Sequence, residues 1–153
     1  MLMRILLYIF ILLNSISLYA DVIKPNPDIK PIDVIYIQLK ALQNNNDPFK
    51  NAGILQTWEF AHPKNRAYTG PLSNFIIMMN KPSYSMMIDH LDHKIILVEE
   101  NKDVSYYFVE LIDAKGNKYG FQWTISKVID VNEYKDCWMT IGVSAPIPLT
   151  KSI

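Results

Sequence analysis

The sequence predicts an α+β fold in which N-terminal helices pack on a curved antiparallel sheet of about four strands. Between residues 31 and 80, apolar residues recur every three or four positions, which is the period of amphipathic helices. Beyond Pro82 the period changes to two, in runs of β-branched and aromatic residues separated by turn residues. Consecutive strands with short loops favour an antiparallel meander, and helices that precede such a sheet define the α+β class. We expect the sheet to form a cone around a long first helix.

The N-terminus has the pattern of an export signal. Arg4 is followed by an unbroken apolar run at residues 5–13. That run is too short to cross a bilayer, which needs about 20 apolar residues, but it has the size of a signal-peptide core. We expect residues 1–20 to be a signal peptide, cleaved after Ala20 or alternatively near Ser17, and the protein to be periplasmic or secreted without a membrane span. An uncleaved anchor is the other interpretation.

The charge and the cysteine content argue against a nucleic-acid-binding protein and against an enzyme with a catalytic thiol. Removal of Arg4 with the signal leaves 14 basic and 15 acidic side chains from the full-length total of 15 each. The chain has no basic cluster or stripe, so we expect no nucleic-acid partner. Its single cysteine, Cys137, cannot form an internal disulfide and lies in an apolar run, which favours a buried small side chain over a catalytic thiol.

The predicted helices follow an extended lead-in at residues 21–31, which contains Pro25 and Pro27. The asparagine-rich turn before Pro48 ends the first helix, whose apolar stripe consists of Ile32, Ile35, Leu39 and Leu42, widened by Val34, Ile37 and Ala41. The expected helices are residues 32–43, residues 52–61 ended by Pro63, and residues 71–80 with Thr69 or Gly70 as the cap and Leu72, Phe75, Ile76 and Met79 facing the core.

The predicted strands lie within a single domain that we place at residues 32–146, followed by a C-terminal tail at residues 147–153. Gly116 can take the positive φ of a short hairpin loop. Neither face of residues 104–111 is plainly polar, so one face is expected on the helices and the other curled over or lining a pocket. The expected strands are residues 95–99, 104–113, 118–128 and 137–143.

Residues 58–71 combine aromatic, charged and turn-forming residues without a clear hydrophobic period. Behind the signal the chain has thirteen lysines and one arginine, Arg66. A guanidinium has five fixed donors and can bridge several acceptors, which an ammonium cannot. Two interpretations follow. Arg66 links the loop to backbone carbonyls or to a carboxylate such as Glu59, or it binds an anion or ligand.

Residues 89–93, Asp-His-Leu-Asp-His, are the most chemically suggestive pentapeptide. On an extended strand, His90 and Asp92 would share one face while Asp89 and His93 took the other. Each face would then offer only two ligands, so we expect no metal site. His90 is interpreted either as a hydrogen-bonded structural histidine or as an acid–base group in a pocket. An isomerase-like reaction would need a carboxylate base and a phenol donor, for which the candidates are Asp89, Asp92 or Glu110 and Tyr84, Tyr106 or Tyr107.

Three ordered segments carry a recognisable pattern. They are Trp58-x-Phe60-Ala61-x-Pro63-x-Asn65-Arg66-x-x-Thr69-Gly70-Pro71, then Tyr84-x-x-Met87-x-x-His90, and Asp136-Cys137-Trp138-Met139-Thr140-x-Gly142-Val143.

Together these segments resemble an uncharacterised family of bacterial and plant proteins known as a domain of unknown function. The resemblance covers roughly residues 32–144 and implies a cone similar to the nuclear transport factor 2-like and cystatin-like folds, with no established activity. Lys135-Asp136 departs from the Asp-Gly turn expected before the cysteine. The candidate pocket or motif residues are Trp58, Asn65, Arg66, Tyr84, His90 and Trp138.

We therefore expect an exported cone domain that binds a small apolar or amphipathic ligand, or a partner such as a second copy of itself, without catalysis or a cofactor. The alternative is a cofactor-free isomerase-like enzyme with an Asp/His acid–base group in the cone. A third class is an interaction protein that uses its sheet face. A buried carboxylate facing a tyrosine inside a pocket would favour the enzyme, and an apolar pocket without that pair would favour ligand binding. A filled cone with a flat apolar outer sheet would favour the interaction protein.

Overall fold

The computed structural model describes residues 22–149, so the expected signal peptide and the last residues of the expected tail lie outside the described part. Four helices come first and a sheet follows. The helices are α1 (Pro31–Leu42), α2 (Ala52–Glu59), α3 (Pro63–Thr69) and α4 (Leu72–Met79), and a 3-10 turn at Ser85–Met87 leads into the strands β1 (Asp92–Glu100), β2 (Val104–Ile112), β3 (Lys118–Lys127), β4 (Trp138–Val143) and β5 (Ile147–Pro148).

The strands form one open antiparallel sheet in the order β1-β2-β3-β4, and β5 also pairs with β3. The α+β class and the meander predicted from the sequence are confirmed. Strand β5 uses residues assigned above to the tail, where Ile147 pairs with Gly120 and Pro148 pairs with Tyr119. The sheet therefore continues beyond residue 146.

One face of the sheet carries the core. Alternate residues of β2, from Ser105 to Leu111, are buried, as are Phe121, Trp123 and Ile125 on β3. They pack against α1, whose buried apolar residues are Val34, Ile35, Leu39 and Leu42. We call this the inner face.

On the opposite, outer face the side chains are only partly covered. Phe108 lies across Gly120 of the neighbouring strand, so that a Cβ at Gly120 would collide with the Phe108 ring. A glycine inside a strand often marks such a close approach. The outer face is thus apolar at this point, and Phe108 on it remains partly exposed.

Helix α1 begins at Pro31, which suits the first helical position because its missing N–H is not needed there. The buried stripe differs from the predicted one, most clearly at Ile32 and Gln38. Ile32 is 41% exposed, whereas Gln38, a polar residue, is buried among the apolar side chains. The difference arises because the stripe is centred on Ile35 and Leu39, which leaves Ile32 at its edge.

The region expected to be a loop between two helices is itself a helix. Pro63 does not only end α2, because it also occupies the first position of α3. His62 caps α3, its Nδ1 accepting a hydrogen bond of 3.1 Å from the backbone N–H of Lys64. Gly70, at φ 81°, ends α3, and the N-cap of α4 is Pro71. Residues 22–149 therefore form four α-helices rather than the predicted three.

Candidate functional site

A cavity of about 230 Å³ lies between α1, α3, α4 and β4. No Asp, Glu, His, Lys, Arg or Cys occurs among the described residues that line it. The wall is therefore uncharged and offers only apolar, amide and hydroxyl groups. The lining residues that matter below are Gln38, Asn65, Tyr68, Thr69, Phe75, Met78, Met79, Tyr84, Met87, Trp123, Thr140 and Val143.

The floor of the cavity is a buried hydrogen-bond network centred on Thr140. Thr140 Oγ1 donates to Gln38 Oε1 at 2.6 Å and accepts from Trp123 Nε1 at 3.2 Å. Gln38 Nε2 donates to the carbonyl of Thr57 at 2.9 Å. These bonds satisfy the buried polar atoms at the floor and hold α1, α2, β3 and β4 in one arrangement.

Two of the six predicted residues, Asn65 and Tyr84, lie on the wall. Asn65 Nδ2 donates to the Thr140 carbonyl at 3.2 Å, and the Tyr84 hydroxyl donates to the Val143 carbonyl at 3.3 Å. Both side chains thus bind the backbone of β4 from elements outside the sheet. The structure gives Asn65 Oδ1 no hydrogen bond within residues 22–149, which leaves this acceptor available beside the cavity.

The apolar part of the wall comes from α4 and the 3-10 turn. Phe75, Met79 and Met87 are buried, and Met78 is half-buried. Methionine side chains are unbranched and flexible, and they adapt to ligands of different outline. Tyr68, 91% exposed, also borders the cavity.

Arg66 does not line the cavity. Its Nε donates to the Ala61 carbonyl at 3.0 Å, and one terminal nitrogen donates to the Glu59 carbonyl at 2.8 Å. The other terminal nitrogen donates to the Tyr134 hydroxyl at 3.2 Å, and the guanidinium lies 3.9 Å from the centroid of the Trp58 ring. All three of its nitrogens are engaged by the protein, which is the geometry of a loop link rather than of an anion site.

Trp58 and Trp138 are also outside the cavity. Both are half-buried and pack against the core cluster. Trp58 Nε1 is buried and has no hydrogen-bond partner among the described residues. Trp138 lies beneath Lys127, whose Nζ is 4.9 Å from the ring centroid. The neighbouring Cys137 is buried, and burial together with the nearby Asp136 carboxylate raises the pKa of its thiol.

His90 is buried near the start of β1, away from the cavity. Its Nδ1 lies 2.7 Å from the Met87 carbonyl, and its Nε2 lies 2.8 Å from His93 Nδ1. Because a carbonyl only accepts, His90 Nδ1 carries the proton and Nε2 accepts from His93. Burial lowers the pKa of His90 to about 4, opposed mainly by the hydrogen bond to Met87. His90 is therefore a neutral, hydrogen-bonded histidine.

The face assignment predicted for residues 89–93 is wrong. Strand β1 begins only at Asp92, and Asp89 has a left-handed backbone with φ 54°, so the segment turns before the strand starts. The turn brings His90 and His93 together, although an extended strand would separate them. No group of three His, Cys, Asp or Glu residues within residues 22–149 is placed to hold a metal ion.

The candidate bases also lie elsewhere. Asp89 Oδ1 accepts from the backbone N–H of Asn45 at 3.1 Å, and Asp92 Oδ1 accepts from the backbone N–H of His93 at 2.9 Å. Glu110 is on the outer face of the sheet, opposite Gly120. None of these carboxylates is among the residues that line the cavity.

Sequence reasoning missed the residues at the floor. Gln38 could have been found, because a polar residue at position i+4 from Val34 and i−4 from Leu42 interrupts an apolar stripe and needs a buried partner. Thr140 lies inside one of the motifs, but nothing local indicates that its hydroxyl points to α1. The methionines read as ordinary core residues.

Comparisons of the chain with models of protein families, with curated proteins and with solved structures gave no match. Within residues 22–149, none of the helices combines the length and the hydrophobicity that crossing a membrane requires.

Proposed function

We propose that this chain is an exported domain that binds a small, mainly apolar molecule in the cavity between α1, α3, α4 and β4, without catalysis. The make-up of the cavity wall carries this proposal. Methionine and aromatic side chains surround a floor whose polar groups are already hydrogen-bonded. Pockets for small molecules combine an apolar lining with a few placed polar groups in this way.

The size of the cavity sets the size of the ligand. A volume of about 230 Å³ is somewhat below the roughly 300–1,000 Å³ of sites for drug-sized molecules. The apolar body of the ligand would contact Phe75, Met78 and Met87. A single hydroxyl or amide donor on it would bond to Asn65 Oδ1. The ligand class is therefore a compact, uncharged amphipathic molecule.

The same lining disfavours the isomerase-like alternative. Proton abstraction beside a carbonyl needs a carboxylate or imidazole near the substrate, together with a donor for the oxyanion. Tyr84 could supply a donor, but none of the described residues that line the cavity is a carboxylate or a histidine. The three candidate carboxylates, Asp89, Asp92 and Glu110, lie outside it.

We also propose that the chain is related to known cone folds and that it is exported. The relationship to the nuclear transport factor 2-like and cystatin-like cones is supported by the motif resemblance and by helices that precede a four-strand meander, with α1 against its inner face. Export is supported by the apolar run at residues 5–13 behind Arg4.

Native mass spectrometry of protein purified from its own host tests the proposal first. A retained uncharged small molecule is the expected result. In parallel, the apolar dye N-phenyl-1-naphthylamine serves as a defined probe of the cavity. Substitution Thr69→Trp places a bulky ring at the cavity wall, and it should weaken dye binding at least about tenfold, or roughly 1.4 kcal/mol.

Ala67→Trp is the matched control, because Ala67 is exposed on the same helix and does not line the cavity. It should leave the dye affinity unchanged. If no small molecule is retained and Thr69→Trp binds the dye as the native protein does, the cavity is not a binding site.

A further inference from the structure

Strand β1 is an open edge of the sheet. Eight of its nine residues pair with β2 on one side, and no other strand within residues 22–149 pairs with its second side. Leu97 is 52% exposed and Val98 is 67% exposed on this strand. An uncovered edge with apolar side chains is a template for pairing with another strand.

A β-bulge in β1 places two opposite charges on the same face. Lys94 lies opposite Glu110, and Glu99 lies opposite Tyr106, both on the outer face of β2. Residues five positions apart in a regular strand point to opposite faces. The register shift between Leu97 and Glu99 inserts one extra residue, and it therefore brings Lys94 and Glu99 to the same face.

The next pair outward follows the same rule on the inner face. His93 lies opposite Leu111, and Glu100 lies opposite Ser105, both of which are buried on the inner face. Each face of β1 therefore has a lysine or histidine near the start of the strand and a glutamate near its end. Two antiparallel copies of the strand would place each of these groups opposite its counterpart.

We propose that two copies of this chain associate through β1, antiparallel, about a two-fold axis that passes through Ile96, with the bulged residue Val98 left out of the pairing. In this register Lys94 of each copy faces Glu99 of the other, and His93 faces Glu100. The ion pair found between described side chains is Lys24–Glu59, so Lys94 and Glu99 have no ion-pair partner within residues 22–149 of their own protomer. The second copy supplies one to each.

The dimer joins the four main strands of each copy into one continuous sheet. It also covers the exposed edge at Leu97 and Val98. A two-fold interface uses the same patch on both subunits, so the patch must be complementary to itself. Strand β1 meets this requirement, because its charges pair with the opposite charges of an antiparallel second copy. The cavity is lined from α1, α3, α4, β3 and β4, so dimer formation leaves it open.

Sedimentation velocity of the full mature chain over a concentration series tests the proposal. The native protein should sediment as a dimer that dissociates on dilution. Lys94→Glu and Glu99→Lys each place two like-charge pairs in the interface, and each should raise the dimer dissociation constant at least about tenfold. The double variant Lys94→Glu/Glu99→Lys restores opposite charges and should return the dissociation constant towards the native value.

Lys118→Glu is the control, since Lys118 is exposed at the start of β3 and away from the β1 edge. It should sediment as the native protein does. Circular dichroism of each variant establishes that it is folded. A native chain that stays monomeric at every concentration overturns the proposal, and so does a dimer that the single reversals leave intact. Failure of the folded double variant to dimerise would show that the proposed register is wrong.

Discussion

Arg66 illustrates how one side chain can be singled out by composition and then explained only by contacts. It is the one arginine among thirteen lysines behind the expected signal peptide, which indicated a guanidinium that is held in place by other groups. The structure shows that it binds the carbonyls of Glu59, the last residue of α2, and of Ala61, two residues later, and lies against Trp58. The carbonyls at a helix end lack intrahelical partners, and a cation there satisfies them and complements the helix dipole.

The substitution Arg66→Lys should destabilise the protein by about 2 kcal/mol. Hydrogen bonds to a charged group contribute about 1.5–3 kcal/mol each, and lysine can replace only part of the fork and loses the stacked contact with Trp58. The measurement is the free energy of unfolding in urea. Lys64→Arg, on the exposed side of the same helix, is the control and should change it by less than about 0.5 kcal/mol. An unchanged unfolding midpoint for Arg66→Lys would contradict the role assigned to the guanidinium.

At the scale of elements, the contact between α1 and α2 depends on Gly53. The Gly53 N–H donates to the Asn45 carbonyl at 3.0 Å, and the next N–H, of Ile54, donates to Asn45 Oδ1 at 3.0 Å. A Cβ at Gly53 would collide with the backbone carbonyl of Ala41 at the end of α1. The close approach of the two helices therefore requires a residue without a side chain at position 53.

Gly53→Ala tests which of two effects is larger. Helix propensity favours alanine by about 1 kcal/mol, whereas a clash against rigid backbone in a packed interior costs roughly 1–3 kcal/mol or more. Because the clashing atom is a carbonyl that cannot rotate away, we expect net destabilisation of about 2 kcal/mol. Gly142→Ala is the control, as its Cβ would meet no atom within 4 Å. Equal unfolding free energies for the two variants would refute this account of the helix contact.

The elements themselves could be predicted to different degrees. Residue periodicity located α1, α2, α4 and the four main strands, because each element has its own period and its own turn residues. It missed α3, since seven residues give too little repeat to distinguish a helix from a loop. Pro63 was interpreted as the residue that ends the preceding helix. The fixed φ of proline suits the first position of a new helix equally well.

At the scale of the whole molecule, all three histidines are held in environments that favour their neutral form. Burial lowers the pKa of His62, His90 and His93, and His90 reaches about 4. The carboxylates of Asp89 and Asp92 act in the opposite direction on His90 without outweighing burial. Protonation of these histidines is therefore coupled to unfolding.

The sign of this coupling predicts a loss of stability in acid. His90 has an ordinary pKa of 6.5 in the unfolded chain and a pKa of about 4 in the folded protein, so the folded state binds fewer protons between these values. The His90 contribution is complete above pH 6.5 and is lost as the pH falls to about 4, which amounts to roughly 3 kcal/mol.

Urea unfolding of the native chain and of His90→Gln, between about pH 7 and pH 4, measures this contribution. The variant should be less stable at neutral pH and should lose less stability on acidification. Subtracting the two pH profiles removes the shared effect of the carboxylates and of the other two histidines. Parallel profiles would show that His90 does not titrate with unfolding.

The sequence by itself determined the α+β class, the order of helices before strands and the expectation that Arg66 is held, because these depend on periodicity and on composition. The tertiary structure alone decided the cavity, the link from Gln38 to Thr140 and the engagement of Arg66 by backbone carbonyls. Gln38 and Thr140 are 102 residues apart, and their contact depends on how α1 packs across the sheet. The bulge in β1 was also decided only by the tertiary structure. Its one extra residue brings charged side chains to the same face that would otherwise lie on opposite faces, and no local sequence pattern fixes that register.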